Sequence, residues 1–231
     1  MRDSWRHFVA EFIGILAFVF VGGASIMSAT MSNLNPLLPA AIAHGLILGI
    51  MVTATMRISG HLNPAVTIGF MVTKRIEPMM GVVHIIAQLL GAAIAAYALK
   101  AVFPVGVAEA TRLGGQVVSG DINTMQAILC EAIATFFLVF VVFGTAVDPH
   151  APKVGGFAIG LPVTADILAI GSRTGASDES RALVRARRGV GGDGGTDRVL
   201  GRADSGRDRG GATVRRIVSA SWEGAGGTCG G

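Results

Sequence analysis

The sequence predicts an all-α transmembrane protein, and three observations support this fold class. The first is composition, because 51% of the 231 residues are hydrophobic, only 15% are charged, and the mean hydropathy is +0.60. A soluble domain needs more charge than this to keep its surface wetted. The second is a series of apolar stretches, most of them near the roughly 20 residues that a helix needs to cross the hydrocarbon. They lie at about 8–27, 38–57, 81–102, 126–146 and 154–171.

The third observation is an internal repeat at an offset of 120 residues. "AEFIGILAFVFVG" begins at Ala10 and "CEAIATFFLVFVV" begins at Cys130, and both carry a glutamate in second place, Glu11 and Glu131. Three predicted spans separate the starts of the two copies, so the second copy must enter the membrane from the opposite face. Inverted repeats of this kind place a transport site near the midplane, between the two halves.

The first apolar stretch is expected to be retained as a helix. It is too long for the apolar region of a secretory signal, and four further stretches follow it. The basic residues of the short loops predict a cytoplasmic N-terminus, since most of them fall on one side of the membrane. That side holds Arg2, Arg6, Arg57, Lys74, Arg75 and Lys153, and the other side holds Lys100 and Arg112.

Glu11 and Glu131 lie within predicted spans, where a carboxylate is costly unless it faces the interior and has partners. We interpret both as structural buried carboxylates that anchor nearby backbone groups. A direct role in a transport pathway is the alternative, and the sequence leaves it open.

A helix start is predicted within the membrane, in the stretch "SGHLNPAVTIGF" that begins at Ser59. Asn63 is a strong N-cap, and proline is favoured in the first helical turn, where its missing N–H has no partner. The apolar run that follows is too short to span the bilayer, so we expect a half-helix whose N-terminus faces the midplane. Asn63, Pro64 and Ala65 would present unpaired N–H groups and a positive dipole end there, which would repel cations.

These motifs together resemble the major intrinsic protein family, the aquaporins and glycerol facilitators, over roughly residues 7–177. The matching segments are "AEF" at Ala10, "AHGL" at Ala43, "SGHLNPAVT" at Ser59, "AQLLGA" at Ala87 and "LAIGSRTGAS" at Leu168. The resemblance implies six spans, two half-helices that meet at paired Asn-Pro-Ala motifs, and a homotetramer with one pore per subunit. One departure is the single residue between Gly60 and Leu62, where the family typically has two.

The resemblance also implies which side chains form the narrow selectivity filter. By position these are His44, Ile167 and Ala176, a combination similar to the plant tonoplast type of water channel. The expected function is passive passage of water, with small neutral solutes as further candidates. A glycerol facilitator is the close alternative.

The chain departs from the family after Ser177, where the family continues with Met-Asn-Pro-Ala-Arg. Residues 178–231 contain 14 Gly and 10 Arg and have no apolar run long enough to span a bilayer. We therefore predict a truncated transmembrane domain at 1–177, with about five spans and one half-helix, and a disordered Gly/Arg-rich tail at 178–231. The second repeat, with its Asn-Pro-Ala motif and filter arginine, is incomplete.

The genetic code suggests a cause for this departure. Asp178 through Arg181 can be written GAT-GAA-TCC-CGC, and reading from the second base gives Met-Asn-Pro-Ala. The same shifted frame can turn Arg198 through Ala203 into Val-Tyr-Trp-Val-Gly-Pro, which resembles the start of the family's sixth span. We hypothesise a one-base frameshift near Ser177. A non-functional truncated product is then an alternative for the polypeptide as written.

Other classes of function are disfavoured. The tail could bind RNA or anionic lipid through its arginines, but it is predicted outside the cytoplasm and its only aromatic residue is Trp222. We expect no enzyme, since no nucleophile, base and orienting group occur together. With only Cys130 and Cys229 present, neither a disulfide framework nor a thiolate metal site is expected. We also expect no cofactor. The predicted location is a membrane, the cell membrane if the source is prokaryotic.

Overall fold

In the computed structural model of the protein, residues 4–115, 122–152 and 154–174 are described. They belong to one compact unit, Met1–Gly191. Seven α-helices are present in this part: α1 Ser4–Met31, α2 Leu37–Thr55, α3 Pro64–Val72, α4 Pro78–Val102, α5 Val105–Ala110, α6 Thr124–Val142 and α7 Phe157–Thr174. A 3₁₀ turn at Arg112–Gly114 follows α5, and a π turn at Phe143–Val147 extends α6. No strand occurs in the described ranges, which agrees with the predicted all-α class.

Four helices in the described part of the chain are long and apolar enough to cross a membrane: Ser4–Met31, Leu37–Thr55, Pro78–Val102 and Thr124–Val147. They correspond to the first four predicted spans. The fifth predicted span is also helical, as α7, but it is not among these four. Asp166 and Arg173 lower the apolar character of its 18 residues, and Pro162 interrupts its hydrogen bonding.

The longer helices pack against one another, and two of them also contact the short helix α3. α1 contacts α4 and α2, α2 contacts α7, and α6 contacts α7. The nine-residue α3 lies against both α4 and α6. On the outside of this arrangement, large side chains such as Ile50, Leu89 and Phe140 are more than half exposed. Such a surface suits contact with lipid chains, because exposed apolar patches of this extent are rare on soluble monomers.

Glycines permit a close crossing of α2 and α7. A Cβ atom on Gly49 would lie 3.3 Å from the carbonyl oxygen of Gly156, and one on Gly160 would overlap the carbonyl oxygen of Gly45. Small residues that let backbones approach are the usual device for packing helices in a membrane. This crossing fixes α7, and with it Ile167, relative to His44 on α2.

Candidate functional site

The half-helix α3 begins as the sequence predicts. Pro64 occupies the first turn, and the Asn63 side-chain oxygen accepts hydrogen bonds from the N–H groups of Ala65, at 2.7 Å, and Val66, at 3.4 Å. Because Oδ1 caps the helix, the amide nitrogen Nδ2 of Asn63 points away from it. Asn63 also lines a cavity in the described structure, and its amide nitrogen carries two N–H donors that a molecule there can use.

Replacing Asn63 with alanine removes both the cap and these donors, whereas Asn63→Asp keeps an oxygen for the cap. We expect Asn63→Ala to lower the free energy of unfolding by about 1 kcal/mol, and Asn63→Asp to cost clearly less. Reversible unfolding in detergent measures both. Asn123→Ala is a matched control for the loss of a cap alone, since Asn123 caps α6 at an exposed position. Equal losses for Asn63→Ala and Asn63→Asp would contradict this account of the cap.

The loop before α3 is held by one carboxylate. Oε1 of Glu11 accepts hydrogen bonds from the Ser59 hydroxyl and from the N–H groups of Gly60, at 3.0 Å, and His61, at 2.8 Å. Its Oε2 accepts from the N–H of Leu62, at 2.8 Å, and from Nε2 of Gln88, at 2.6 Å. Glu11 is completely buried. Of the two roles left open by the sequence, this geometry supports the backbone anchor.

Leu62, one of the residues held by Glu11, has a strained backbone conformation. Its φ of 44° lies in the left-handed region, which costs a non-glycine residue about 1–3 kcal/mol. Its side chain is buried against Gly14, where a Cβ atom would overlap it. Leu62 directly follows His61, the single residue that stands where the family typically has two. The hydrogen bonds to Glu11 offset the strain at Leu62.

Three histidines from different elements meet beside the anchor, a feature that the sequence analysis did not predict. Nδ1 of His7 lies 3.2 Å from Nε2 of His84, and Nδ1 of His84 lies 3.2 Å from Nδ1 of His61. His61 in turn contacts the Thr67 hydroxyl at 3.2 Å. These residues are spread over 78 positions of the chain, so no local spacing could have revealed the contact. They form a chain of ring contacts rather than a convergent set, and no metal-binding group of His, Cys, Asp or Glu occurs among the described residues.

A cavity of about 550 Å³ lies beside the N-terminus of α3. It brings together three of the predicted pore residues, Asn63, His44 and Ile167. Pro64 and Ala65 lie in the first turn of α3 behind Asn63 and are not among the residues that line the cavity. Ala176 lies outside the described residues. Further lining residues are Phe18, Val19, Gly23, Ile26, Ala40, Leu138, Val163, Ile170 and Gly171, so most of the wall is apolar.

The His44 ring has a defined orientation at this wall. Its Nδ1 lies 2.8 Å from the carbonyl oxygen of Ala40, and because a carbonyl only accepts, Nδ1 carries the proton and donates. In the neutral ring, Nε2 is then the acceptor. The rings of Phe18 and His44 form a T-shaped contact, with centroids 5.2 Å apart and planes at 75°. The position of His44 is thus fixed by both α1 and α2.

Charged residues also line the cavity, and two of them were not predicted. Glu131 on α6 was expected to be buried like Glu11, but its side chain is exposed and faces the cavity. The two copies of the repeat differ in the burial of this glutamate. Glu11 is surrounded by the loop at 59–62 and by Gln88, whereas Glu131 has no such partners in the described ranges. Asp166 on α7 and Arg112 beyond α5 join it at the wall. Arg112 has a φ of 49°, and this turn cannot be read from its residue types.

Together, apolar helices, a capped half-helix and a cavity at its N-terminus define a transmembrane channel-like protein. The pattern of the family described as "Major intrinsic protein" matches residues 1–183, and the chain belongs to this family. The family assignment made from the motifs is therefore confirmed. It also agrees with the expectation that the chain is a channel protein and not an enzyme.

Similar proteins include named aquaporins of plants. The chain is 41% identical over 184 residues to "Probable aquaporin TIP2-1" of Oryza sativa subsp. japonica, which covers 75% of this chain and 72% of the relative. It is 40% identical over 187 residues to "Aquaporin TIP1-2" of Zea mays, and the match covers 76% of this chain and 71% of that relative. Among solved structures, the "aquaglyceroporin from Plasmodium falciparum" matches with a TM-score of 0.65 and 20% identity. The match covers 81% of this chain and 82% of that chain. This last likeness supports the fold alone.

Proposed function

We propose that the gene encodes a passive water channel that also admits small neutral solutes, and that the chain as written carries it incompletely. The observation that supports this most directly is the Asn63 cap, which directs amide donors into a cavity within apolar helices. Names of the plant relatives point to water rather than glycerol. The glycerol alternative has no comparable support.

In this proposal the cavity is the pore, and water passes it through hydrogen bonds to Asn63. The N-terminus of α3 adds the positive end of its dipole, which favours a water oxygen and opposes cations and protons. His44, Ile167 and Ala176 form the narrow filter, in which His44 contributes its imidazole ring and Ile167 an aliphatic side chain. Pro64 and Ala65 set the first turn of α3 and so the direction of the Asn63 donors.

The incomplete part is the second repeat. A frameshift near Ser177 would remove the second Asn-Pro-Ala motif, the second half-helix and the sixth span, leaving 178–231 as an unrelated tail and 1–177 as the transmembrane domain. Two observations support this. The family match ends at residue 183, and the relatives are covered over only 72% and 71% of their length. The exposure of Glu131 at the cavity also fits the loss of the elements that would cover it in a complete second repeat.

The family and the loop charges support our proposals for assembly and orientation. We propose a homotetramer in the bilayer once the second repeat is complete, with the N-terminus in the cytoplasm. If the source is prokaryotic, the membrane is the cell membrane. No cofactor, metal or nucleic acid takes part in the proposed mechanism.

The proposal is tested by water flux in lipid vesicles. We expect the chain as written to give no flux above lipid alone, and a frame-restored version, encoding Met-Asn-Pro-Ala-Arg after Ser177, to give clear flux in stopped-flow light scattering. Vesicles with frame-restored protein carrying Asn63→Ala control for leaks at the protein–lipid boundary. Flux through the written chain would contradict its incompleteness. Absence of flux from the frame-restored protein would refute the water channel itself. Resequencing the DNA across the codons for Ser177 and Asp178 decides whether the shift is present in the gene.

A further inference from the structure

We propose that Gly22 is a positioning residue for His44, and that it sets the width of the pore at that histidine. This inference rests on the proposed function, because it takes His44 as part of the pore wall. Gly22 lies on α1, is buried, and does not itself line the cavity. Its effect is therefore exerted through the His44 ring.

The contact between the two residues leaves no room for a side chain at position 22. A Cβ atom on Gly22 would lie 2.5 Å from both Cδ2 and Cε1 of His44 and would overlap Nε2. Carbon atoms in optimal contact are about 3.5–4.0 Å apart. The Nε2 edge of the imidazole is therefore seated directly on the backbone of α1, in a recess that only glycine provides.

The other contacts of the ring determine where it would move if this recess were filled. The Ala40 carbonyl holds Nδ1 from within α2, and Phe18 on α1 packs against the ring in a T-shaped contact. The remaining side is the cavity, which His44 lines together with Asn63 and Ile167. A methyl group at position 22 would thus push the ring by about 1 Å or more toward the cavity, since Ala40 and Phe18 oppose movement in other directions.

Two consequences follow for the wild-type protein. Both ring nitrogens are shielded, Nδ1 by the Ala40 carbonyl and Nε2 by Gly22, so His44 reacts slowly with reagents for imidazole. The pore is also wider than the presence of a histidine alone would suggest, because the ring lies back against α1. Gly22→Ala should reverse both properties.

The first experiment uses the full chain as written and does not depend on conduction. The protein in detergent is treated with diethylpyrocarbonate, and the modification rate of each histidine is followed by mass spectrometry. We expect the modification rate of His44 to rise about tenfold in Gly22→Ala, because the ring loses its contact with the α1 backbone and its Nδ1 hydrogen bond. His150, which is 92% exposed, provides the internal reference and should not change. Gly144→Ala is the matched control, since nothing lies within 4 Å of a Cβ atom there.

A second variant separates positioning from a general loss of folding. In a His44→Ala background no ring occupies the recess, so adding Gly22→Ala should not lower the melting temperature, because helix propensity favours alanine over glycine. If Gly22→Ala lowers the melting temperature equally with and without His44, the glycine serves helix packing and the proposal is overturned. An unchanged His44 modification rate in Gly22→Ala would also overturn it.

The pore width is tested in the frame-restored protein. Gly22→Ala should reduce urea flux more than water flux, and His44→Ala should restore urea flux in the double variant. If the modification rate rises but the ratio of urea to water flux stays constant, the claim about pore width is overturned. Lack of any flux in the frame-restored parent would instead refute the proposed function, while the modification experiment would still test the seat of His44.

Discussion

Replacing Glu11 with leucine should lower the free energy of unfolding by at least about 3 kcal/mol, the largest effect that we expect from a single side chain. Leucine fills a similar volume, so the loss comes from hydrogen bonding rather than from a cavity. Five donors lose their acceptor, and each buried donor left unpaired costs about 1–3 kcal/mol. Leu62 would also be released from its left-handed conformation, and the N-terminus of α3 would lose its position.

The repeat supplies a matched control for this variant. Glu131 occupies the corresponding place in α6, but it is exposed at the cavity, so Glu131→Leu should change the free energy of unfolding by no more than about 0.5 kcal/mol. Both variants are compared by reversible denaturation in the same detergent. Losses of similar size would show that Glu131 has an equivalent set of partners and that the two carboxylates are functionally symmetric.

Replacing Gly160 with valine should be the most damaging change at a helix crossing, at about 2–3 kcal/mol. The added Cβ atom would overlap the carbonyl oxygen of Gly45 and lie 3.0 Å from the backbone nitrogen of Gly49. Both are backbone atoms, so no side chain can rotate away, and α7 must move away from α2. Because α7 carries Ile167 and Asp166 into the cavity wall, the site should widen or collapse with it.

The loss of the crossing can be measured by unfolding in detergent and by the distance between spin labels placed on α2 and α7. Gly144→Val is the control, since it adds the same β-branched side chain where nothing lies within 4 Å. We expect that control to change the free energy of unfolding by less than about 1 kcal/mol, because helix propensity slightly favours valine over glycine. An unchanged α2–α7 distance in Gly160→Val would rule out the proposed tight crossing.

The sequence predicted those features that depend on local chemistry. Asn63 and Pro64 define a helix start because a cap and a missing N–H act within one turn, and the structure has α3 beginning at Pro64. Of the five apolar stretches predicted to span the membrane, the first four match helices that are long and apolar enough to do so. The motifs further placed His44 and Ile167 at one site, and both line the cavity. That Ala176 joins them remains a prediction, since it lies outside the described residues.

Other features could not be predicted because they arise from packing between distant elements. The contact of His7, His61 and His84 requires three separate elements to meet, and no residue pattern within any one of them signals it. The exposure of Glu131 was missed because the repeat implies equal surroundings for both glutamates, while burial depends on which loop covers each one. Gly22 reads as one of many small residues in α1, and only the position of the His44 ring gives it a specific role.

The anchor at Glu11 also sets an order of events during synthesis. Its backbone partners are 49 to 51 residues further along the chain, and Gln88 is 77 residues further. At about 5–20 residues per second, Leu62 is made roughly 3–10 s after Glu11. During this interval α1 carries a carboxyl group with none of its final partners into the bilayer, where an unpartnered charge is costly. Glu11 on α1 therefore gains its last partner only after α4 has been made, and the loop at 59–62 is fully anchored no earlier than that.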